Sequence, residues 1–267
     1  MSRIEQGIIP PEVDLSVDSK VIRQVEKLLG TEPNIERARE WIHSPEKQRR
    51  EKIIAGAILT CLTPLLSLSA RGVLRVDGEP AFYKYTVAFP GPNRTLINPR
   101  EFTKVRTLRL NTSDQEKSPF ETTAFQGGRK KEYEETDPRV HSQLGSLLRK
   151  TGLDEIPQLE DVINGEVSLI GLRPFTLEEI KGLRVVLENL DQREELKEYL
   201  ENYSEIMAYI LPLPSMAGPY AATLKKKLTL IERLVLDQLY CLCATKEGDN
   251  RILARSIITT LKRTGAK

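Results

Sequence analysis

Hydrophobic and polar positions divide the chain into a helical start, one long apolar segment, a stretch of short extended pieces and a helical end. From Ser19 to Leu29 the apolar residues recur at helical spacing, and Gly30 is a usual helix stop. A second short helix is predicted from about Asn34 to Ile42. Both helices fall within residues 1–49, which we interpret as a polar helical N-terminal extension.

A long uncharged and mostly apolar segment runs from Ile53 to Ala70, with basic residues on both sides of it. Such flanks are typical of a membrane interface. Its eighteen residues fall short of the about 20 that a straight membrane-spanning helix needs, and Pro64 removes a backbone donor within it. We therefore expect a re-entrant helix over about residues 50–72, broken at Pro64, that enters one leaflet and returns. A buried core helix bent at Pro64 remains an alternative.

Short strands are predicted between the apolar segment and the last third of the chain. Ala81 to Val87 is aromatic and rich in β-forming residues, and Phe102 to Leu110 is a second extended piece. Prolines at positions 90, 92 and 99 separate these pieces, and residues 115–135 have the charge pattern of a solvated loop. The expected fold class is α+β, mainly helical with short strands, and membrane-associated (monotopic).

Composition and charge narrow the classes of function. The 267 residues, 39% of them hydrophobic, suffice to bury a core, and the 40 basic and 38 acidic residues nearly cancel, which argues against a nucleic-acid partner. The three cysteines, Cys61, Cys241 and Cys243, lack zinc-like spacing. Residues 1–48 are polar where a secretory signal needs an apolar block, so we expect no signal peptide and a reducing, cytoplasmic setting.

Two neighbouring carboxylates, Asp154 and Glu155, are the first candidates for chemistry. One helix is predicted to end near Gly152 and another to begin around Asp154 to Pro157, since proline is tolerated in a first helical turn. There the helix dipole and free N–H groups favour a carboxylate or a phosphate. Beside Arg149, an ionised carboxylate can act as a nucleophile while its neighbour holds a divalent cation. Taken alone, the pair also fits simple helix capping.

The order of the motifs DPRV, LGSLLRKTGLDEIPQL and NGEVSLIGLRP resembles the signature of bacterial sugar transferases, the monotopic polyprenyl-phosphate phosphoglycosyl transferases. EKIIAGAILTCLTPLLSLSARG is similar to the re-entrant membrane helix of that family, and GEPAFYK and FTKVRTL are similar to two of its extended pieces. PSMAG resembles a turn near its C-terminus, and ERLVLDQLYCLC and RILARSIITTLKR resemble its closing helices. The resemblance implies a phosphoglycosyl transferase domain over residues 50–267.

Carried over position by position, the resemblance implies that Asp154 is the nucleophile and Glu155 its catalytic partner, implicated in binding Mg²⁺. Basic residues that match family positions would bind the substrate phosphates: Arg149, Arg173, Arg106, Arg139 and Lys104. Two replacements fall outside the family pattern. Tyr85 and Val87 stand where the family usually has Gln and Arg, which puts nucleotide or phosphate contacts from that piece in doubt.

The function implied is transfer of a phosphosugar from a nucleotide diphosphosugar to polyprenyl (undecaprenyl) phosphate, with release of a nucleoside monophosphate. This reaction initiates polysaccharide or glycoconjugate synthesis on the cytoplasmic face of the inner membrane. The resemblance leaves the sugar, the glycan and self-association into a homo-oligomer open. The main alternative is a non-catalytic membrane-surface relative that acts as a scaffold or regulator. A third hypothesis, a soluble nucleic-acid or protein-binding module, is supported only by the GGRKK loop. The near-neutral net charge disfavours it.

Overall fold

The computed structural model describes residues 18–108, 140, 142–177, 179–181, 194–223, 228 and 230–265. This part of the chain is mostly helical with a few short strands, as predicted. Its helices are α1 Ser19–Leu29, α2 Ile35–Ile42, α3 Pro45–Asp77, α4 Gln143–Thr151, α5 Gln158–Asn164, α6 Glu194–Ile210, α7 Pro219–Ala222, α8 Leu230–Cys243 and α9 Lys246–Gly265. Its strands are β1 Phe82–Pro90, β2 Leu96–Val105, β3 Ser168–Ile170, β4 Phe175–Thr176 and β5 Ser215–Ala217.

The strands form two small sheets. In the first, β1 lies between β2 and β4 and is antiparallel to both. In the second, β3 and β5 pair in parallel. Residues 171–174 connect β3 to β4 and therefore link the two sheets. Pro99, predicted to separate strands, lies within β2 instead. Proline is tolerated there because β2 is an edge strand with one unpaired side.

The described part of the N-terminal extension packs into the main core. The N-cap Asp18 begins α1 and Gly30 ends it with a left-handed backbone, φ 64°, as the sequence predicted for this glycine. Val25 and Leu29 are fully buried in the same core cluster as residues of α8 and α9. The amide of Asn34 donates to the carbonyl of Leu242 at 2.7 Å. The extension is therefore joined to the closing helices by burial and by backbone hydrogen bonds.

The apolar segment forms the middle of α3, which continues through Pro64. The predicted break at Pro64 is wrong: every residue from 45 to 77 is helical. Hydroxyl groups on both sides of the proline donate to carbonyls four residues earlier, Thr63 to Leu59 at 2.7 Å and Ser67 to Thr63 at 3.0 Å. Neither bond goes to the carbonyl of Thr60, which Pro64 leaves without its helical donor, so packing at both ends is the feature that keeps the helix continuous.

Both ends of α3 pack against the domain, whereas its apolar middle is largely exposed. Glu51 and Ala55 are buried near one end and Val73 near the other. Ile53 and Leu68 each keep 63% of their surface exposed. Among the described residues, only this helix is long and apolar enough to cross a membrane, judged by length and composition, and 11% of its most apolar stretch is buried. The alternative of a buried core helix is therefore excluded.

A small second core connects α3 to the strand and the helix that flank the carboxylate pair. Val73 of α3, Val105 of β2 and Leu148 of α4 form this cluster and are at most 1% exposed. Because each comes from a different element, their burial holds the end of β2 beside the end of α4. Lys104 and Asp154 are brought close together by this packing.

Candidate active site

Asp154 and Glu155 lie in a tight turn between two helices. Helix α4 ends at Gly152, whose φ of 72° favours glycine, and a 3₁₀ turn, Leu153–Glu155, follows it. The next helix, α5, begins only at Gln158. The prediction that both carboxylates occupy the first turn of this helix is therefore corrected by a few residues, because the 3₁₀ turn intervenes.

Asp154 is buried, with 7% of its surface exposed. Burial raises the pKa of its carboxyl group to about 6, and the neighbouring charge of Lys104 opposes this effect while that of Glu155 adds to it. Arg149, half-buried at the end of α4, also lowers the pKa of Asp154. A carboxylate with this environment is weakly solvated yet still mostly ionised at neutral pH, as a nucleophile requires.

Lys104 bridges the site from the strand β2. Its Nζ donates to Oε1 of Glu155 at 2.6 Å. Burial alone would lower the pKa of Lys104, but the combined attraction of Glu155, Tyr85, Asp154 and Tyr83 outweighs it and raises the pKa. The ammonium group therefore stays charged between the two carboxylates and is available to screen an incoming phosphate.

An aromatic face lines the same side of the sheet as Lys104. Tyr83 pairs directly with Lys104 across β1 and β2, and Tyr85 pairs with Phe102. Residues two apart on a strand share a face, so these four side chains lie together. The Nζ of Lys104 lies 5.2 Å from the centre of the Tyr85 ring. Burial raises the pKa of Tyr85 to about 12, so its phenol remains neutral.

Arg173 approaches the site from the link between the two sheets. Its side chain is exposed, and its guanidinium carbon lies 5.4 Å from the centre of the Tyr220 ring. The negative charge of Glu155 attracts the positive charge of Arg173. The structure thus brings together five of the predicted site residues, namely Asp154, Glu155, Lys104, Arg149 and Arg173.

The part of the sequence that contains these site residues also identifies the family to which the chain belongs. Residues 43–263 match the model of the family described as bacterial sugar transferase. The chain belongs to this family. The match begins after α2 and includes both sheets and the carboxylate turn.

Relatives of this bacterial sugar transferase carry informative names. It is 28% identical to the UDP-galactose-lipid carrier transferase of Erwinia amylovora over 84% of this chain and 42% of that protein. It is 26% identical to the UDP-glucose:undecaprenyl-phosphate glucose-1-phosphate transferase of Escherichia coli over 60% and 30% of the two chains. It is 34% identical to the exopolysaccharide production protein ExoY of Sinorhizobium fredii over 51% and 58%. The matched region is thus only 30% to 58% of each relative's own length.

One predicted phosphate-binding arginine, Arg106, has contacts of a different kind from those of the other site residues. The guanidinium of Arg106 is buried and donates to the carbonyls of Gly78, Pro80 and Leu108 at 2.7, 2.6 and 3.0 Å. These contacts favour a structural role, in which Arg106 ties the end of β2 to the end of α3. Arg139 lies outside the described residues.

The carboxylates of the site can be compared with the ligands that Mg²⁺ requires. No group of three or more His, Cys, Asp or Glu side chains suited to a metal occurs in the described parts of the chain. Mg²⁺ is commonly bound by one or two carboxylates, with water and substrate phosphates completing the shell. Asp154 and Glu155 supply two neighbouring carboxylates, and the side chain of Glu155 is 38% exposed. The site therefore fits an ion that arrives with a diphosphate substrate.

Several side chains at the site were not predicted to take part. Tyr83 is 36% exposed, and burial raises its pKa; the charge of Lys104 opposes this effect and that of Asp154 adds to it. Tyr220 lies beneath Arg173. The alternation of Tyr83 and Tyr85 was the available signal for the first, because period two places both on one strand face. Tyr220 has no such local signal.

Proposed function

We propose that this bacterial sugar transferase moves a phosphosugar from a nucleotide diphosphosugar onto undecaprenyl phosphate and releases a nucleoside monophosphate. The observation that carries the proposal is the buried Asp154 beside the Glu155–Lys104 ion pair, within reach of two arginine charges. The names of the relatives, which include undecaprenyl-phosphate galactose phosphotransferase, support the same substrate class. They favour a transferase over a non-catalytic scaffold.

The proposed reaction has two displacement steps at phosphorus. A carboxylate oxygen of Asp154 attacks the phosphorus that bears the sugar, and the bond from that phosphorus to the bridging oxygen breaks, so the nucleoside monophosphate leaves. The product is an aspartyl phosphosugar. An oxygen of undecaprenyl phosphate then attacks the same phosphorus, the bond to Asp154 breaks, and the carboxylate is restored.

The basic residues stabilise the charge that these steps redistribute. Phosphoryl transfer spreads negative charge over the equatorial oxygens, and fixed cations lower the barrier by lying close to them. Lys104 faces the carboxylates, whereas Arg149 and Arg173 approach from α4 and from the link between the sheets. An arginine can pair two phosphate oxygens at once through its planar fork.

Glu155 would hold Mg²⁺ at this site, next to the nucleophile Asp154. A bound divalent cation would neutralise part of the negative charge of the diphosphate. Chelation of divalent metal is therefore expected to abolish release of nucleoside monophosphate, and added Mg²⁺ is expected to restore it. Full turnover in excess chelator would remove this role from Glu155.

The exposed apolar middle of α3 is the proposed contact with the inner membrane. Its exposed side chains include Ile53, Leu65 and Leu68. Burial of apolar side chains in the acyl region, with basic residues at the surface, is the usual energetic basis of such contacts. Both ends of α3 pack against the same domain, which favours a contact from one side of the membrane over a complete crossing, and we propose that this side is the cytoplasmic one. The lipid phosphate would then lie at the level of the site.

One assay tests the proposed function directly. Purified protein in lipid nanodiscs is incubated with undecaprenyl phosphate and a panel of nucleotide diphosphosugars that begins with UDP-galactose and UDP-glucose. We expect release of the matching nucleoside monophosphate that depends on Asp154. Absence of release with every sugar nucleotide, from folded and membrane-bound protein, would instead support the scaffold alternative.

A further inference from the structure

Arg233, on α8, binds the segment that carries Arg173. Its Nη2 donates to the backbone carbonyl of Arg173 at 3.0 Å and to that of Pro174 at 2.9 Å. Its guanidinium carbon lies 3.6 Å from the centre of the Phe175 ring. The side chain is 15% exposed, so these contacts are largely shielded from water. One guanidinium group thus contacts three consecutive residues, the last two of the link between the sheets and the first of β4.

The contacts of Arg233 extend to the residues that follow the link. Its Nη1 lies 3.6 Å from Oε1 of Glu179. The other oxygen of Glu179 accepts a hydrogen bond from the amide of Thr176 at 2.7 Å. Asp237, one turn further along α8, is 2% exposed and accepts from the hydroxyl of Tyr203 at 3.3 Å. The guanidinium group therefore lies close to Glu179, and its charge also acts on the buried carboxyl group of Asp237.

The opposite side of the link is held by the parallel sheet. The amide of Gly171 donates to Ala217 at 2.8 Å, and the carbonyl of Leu172 accepts from Ser215 at 3.0 Å. A Cβ atom at Gly218 would lie 2.0 Å from the carbonyl oxygen of Gly171, so only glycine allows this approach. The backbone on both sides of Arg173 is therefore anchored while its side chain remains exposed.

We propose that Arg233 is a positioning residue that fixes the backbone of Arg173 so that the Arg173 guanidinium meets the substrate diphosphate. This inference rests on the proposed function, since it assigns Arg173 to the phosphates. Arg233 does not touch the substrate and acts only through Arg173. The planar guanidinium can bind two carbonyls and stack on a ring at the same time, whereas a lysine ammonium cannot reproduce that arrangement.

A double-mutant cycle on Arg173 and Arg233 tests the inference. The four proteins are wild type, Arg173→Ala, Arg233→Lys and the double variant, and kcat and KM for nucleoside monophosphate release are measured for each. Small displacements of a positioning group can cost up to about 100-fold in rate, so we expect Arg233→Lys to lower kcat/KM by about 10-fold to 100-fold. In the Arg173→Ala background the same change is expected to have almost no effect, because the residue it positions is gone.

Controls separate positioning from general stability. Arg255→Lys, a matched change at a half-buried arginine of α9, is expected to leave kcat/KM at the wild-type value. Thermal unfolding establishes that Arg233→Lys is folded, and the retained positive charge favours this. Arg233→Met is a second variant. We again expect a lower kcat/KM in the wild-type background and almost no effect in the Arg173→Ala background.

The outcomes distinguish the two proposals. Additive effects of Arg173→Ala and Arg233→Lys in an active enzyme would overturn the positioning role and leave the proposed function intact. Wild-type turnover by folded Arg233→Met would do the same. If wild-type protein releases no nucleoside monophosphate, the proposed function fails, and the inference fails with it.

Discussion

Two lysine–carboxylate clusters of similar composition occupy different parts of this sugar transferase. In the first, Lys47 donates to Glu51 at 2.7 Å and to Asp249 at 2.5 Å, with Tyr240 nearby. In the second, Lys104 pairs with Glu155 and faces Asp154 and Tyr85. Each contains one lysine, two carboxylates and a tyrosine. Composition alone therefore does not distinguish a structural cluster from an active site.

The clusters differ in how their hydrogen-bonding capacity is used. Side chains of Lys47, Glu51 and Asp249 are 3%, 9% and 2% exposed. Glu51 also accepts from the hydroxyl of Ser168 and from the amides of Leu169 and Ile170, at 2.8 to 3.1 Å. These bonds are directed inward, and the cluster joins α3, α9 and β3.

The Lys104 cluster is more open. Glu155 is 38% exposed and Lys104 is 16% exposed. An open pair can exchange its contacts for those of a charged substrate, whereas a sealed network cannot do so without losing stability. Solvent access, more than residue type, therefore distinguishes the proposed active-site cluster from the structural one.

The largest effect is expected from Asp154→Asn. This change keeps the shape of the side chain but removes the negative charge, so the proposed nucleophile is lost. We expect nucleoside monophosphate release to fall by about 1,000-fold or more, the range seen when a single nucleophile is removed. No phosphosugar adduct is expected by intact-protein mass spectrometry.

Asp161→Asn is the matched control for this change. Burial raises the pKa of Asp161 to about 6 as well, but the charges that act on it are mainly those of Glu166 and Glu160. We expect Asp161→Asn to retain nearly full activity. Comparable turnover by Asp154→Asn and wild type would end the covalent mechanism.

The next largest effect is expected on the stability of the cluster of Lys47, Glu51 and Asp249, called the sealed cluster because its side chains are shielded from water. Lys47→Met leaves Glu51 and Asp249 buried without their cation, and loss of one partner from a buried ion pair costs about 3–5 kcal/mol. We expect the free energy of unfolding, measured by denaturant titration, to fall by that amount, while the folded protein keeps its kcat.

An exposed ion pair provides the control for Lys47. Lys84 and Glu101 lie 3.3 Å apart with side chains 66% and 64% exposed. Lys84→Met is expected to change the free energy of unfolding by less than about 1 kcal/mol. Equal losses for Lys47→Met and Lys84→Met would contradict the structural role assigned to the sealed cluster.

The pH dependence of the open cluster follows from the pKa of Asp154. Burial raises it from 3.8 to about 6, so kcat/KM is expected to fall as pH drops through about 6. Lys104→Met removes a charge that lowers this pKa, so the acid limb should move to higher pH. Glu155→Gln removes a charge that raises it, so the limb should move to lower pH. A shift of the acid limb to lower pH in Lys104→Met, or to higher pH in Glu155→Gln, would disprove this electrostatic assignment.

The same shift has a consequence for stability. Because the folded pKa of Asp154 lies above its unfolded value, the folded state binds the proton more tightly, and stability falls as pH rises from about 4 to 6. A shift of this size corresponds to about 3 kcal/mol. Asp154→Asn should lack that part of the decrease, which unfolding experiments at pH 4 and pH 7 can measure.

The last prediction separates two basic residues at the end of β2, since Lys104 lies in the strand and Arg106 directly follows it. Arg106→Lys loses some of its hydrogen bonds to carbonyls, each of which contributes about 1.5–3 kcal/mol for a charged donor. We expect lower stability at an unchanged KM for the nucleotide sugar, whereas Lys104→Met should raise KM. A raised KM for Arg106→Lys would restore it to the phosphate-binding set.

The sequence by itself determined the local features. Helix α1 spans the predicted Ser19 to Leu29, and α4 ends at the predicted Gly152, because capping residues and glycines act on their immediate neighbours. The motif around Asp154 indicated the family, which the match over residues 43–263 confirmed. The apolar segment from Ile53 to Ala70 was likewise visible, since its pattern depends only on consecutive residues.

Tertiary structure decided which of those features act together. Glu51 accepts from amides of Leu169 and Ile170, more than one hundred residues away along the chain. Lys104 and Arg106 belong to one sequence motif, yet one reaches Glu155 and the other is held by backbone carbonyls. Helix α3 passes through Pro64 because packing at its two ends outweighs the local tendency to break. Hydrogen bonds, burial and charge interactions of this kind depend on distance in space, which the order of residues does not specify.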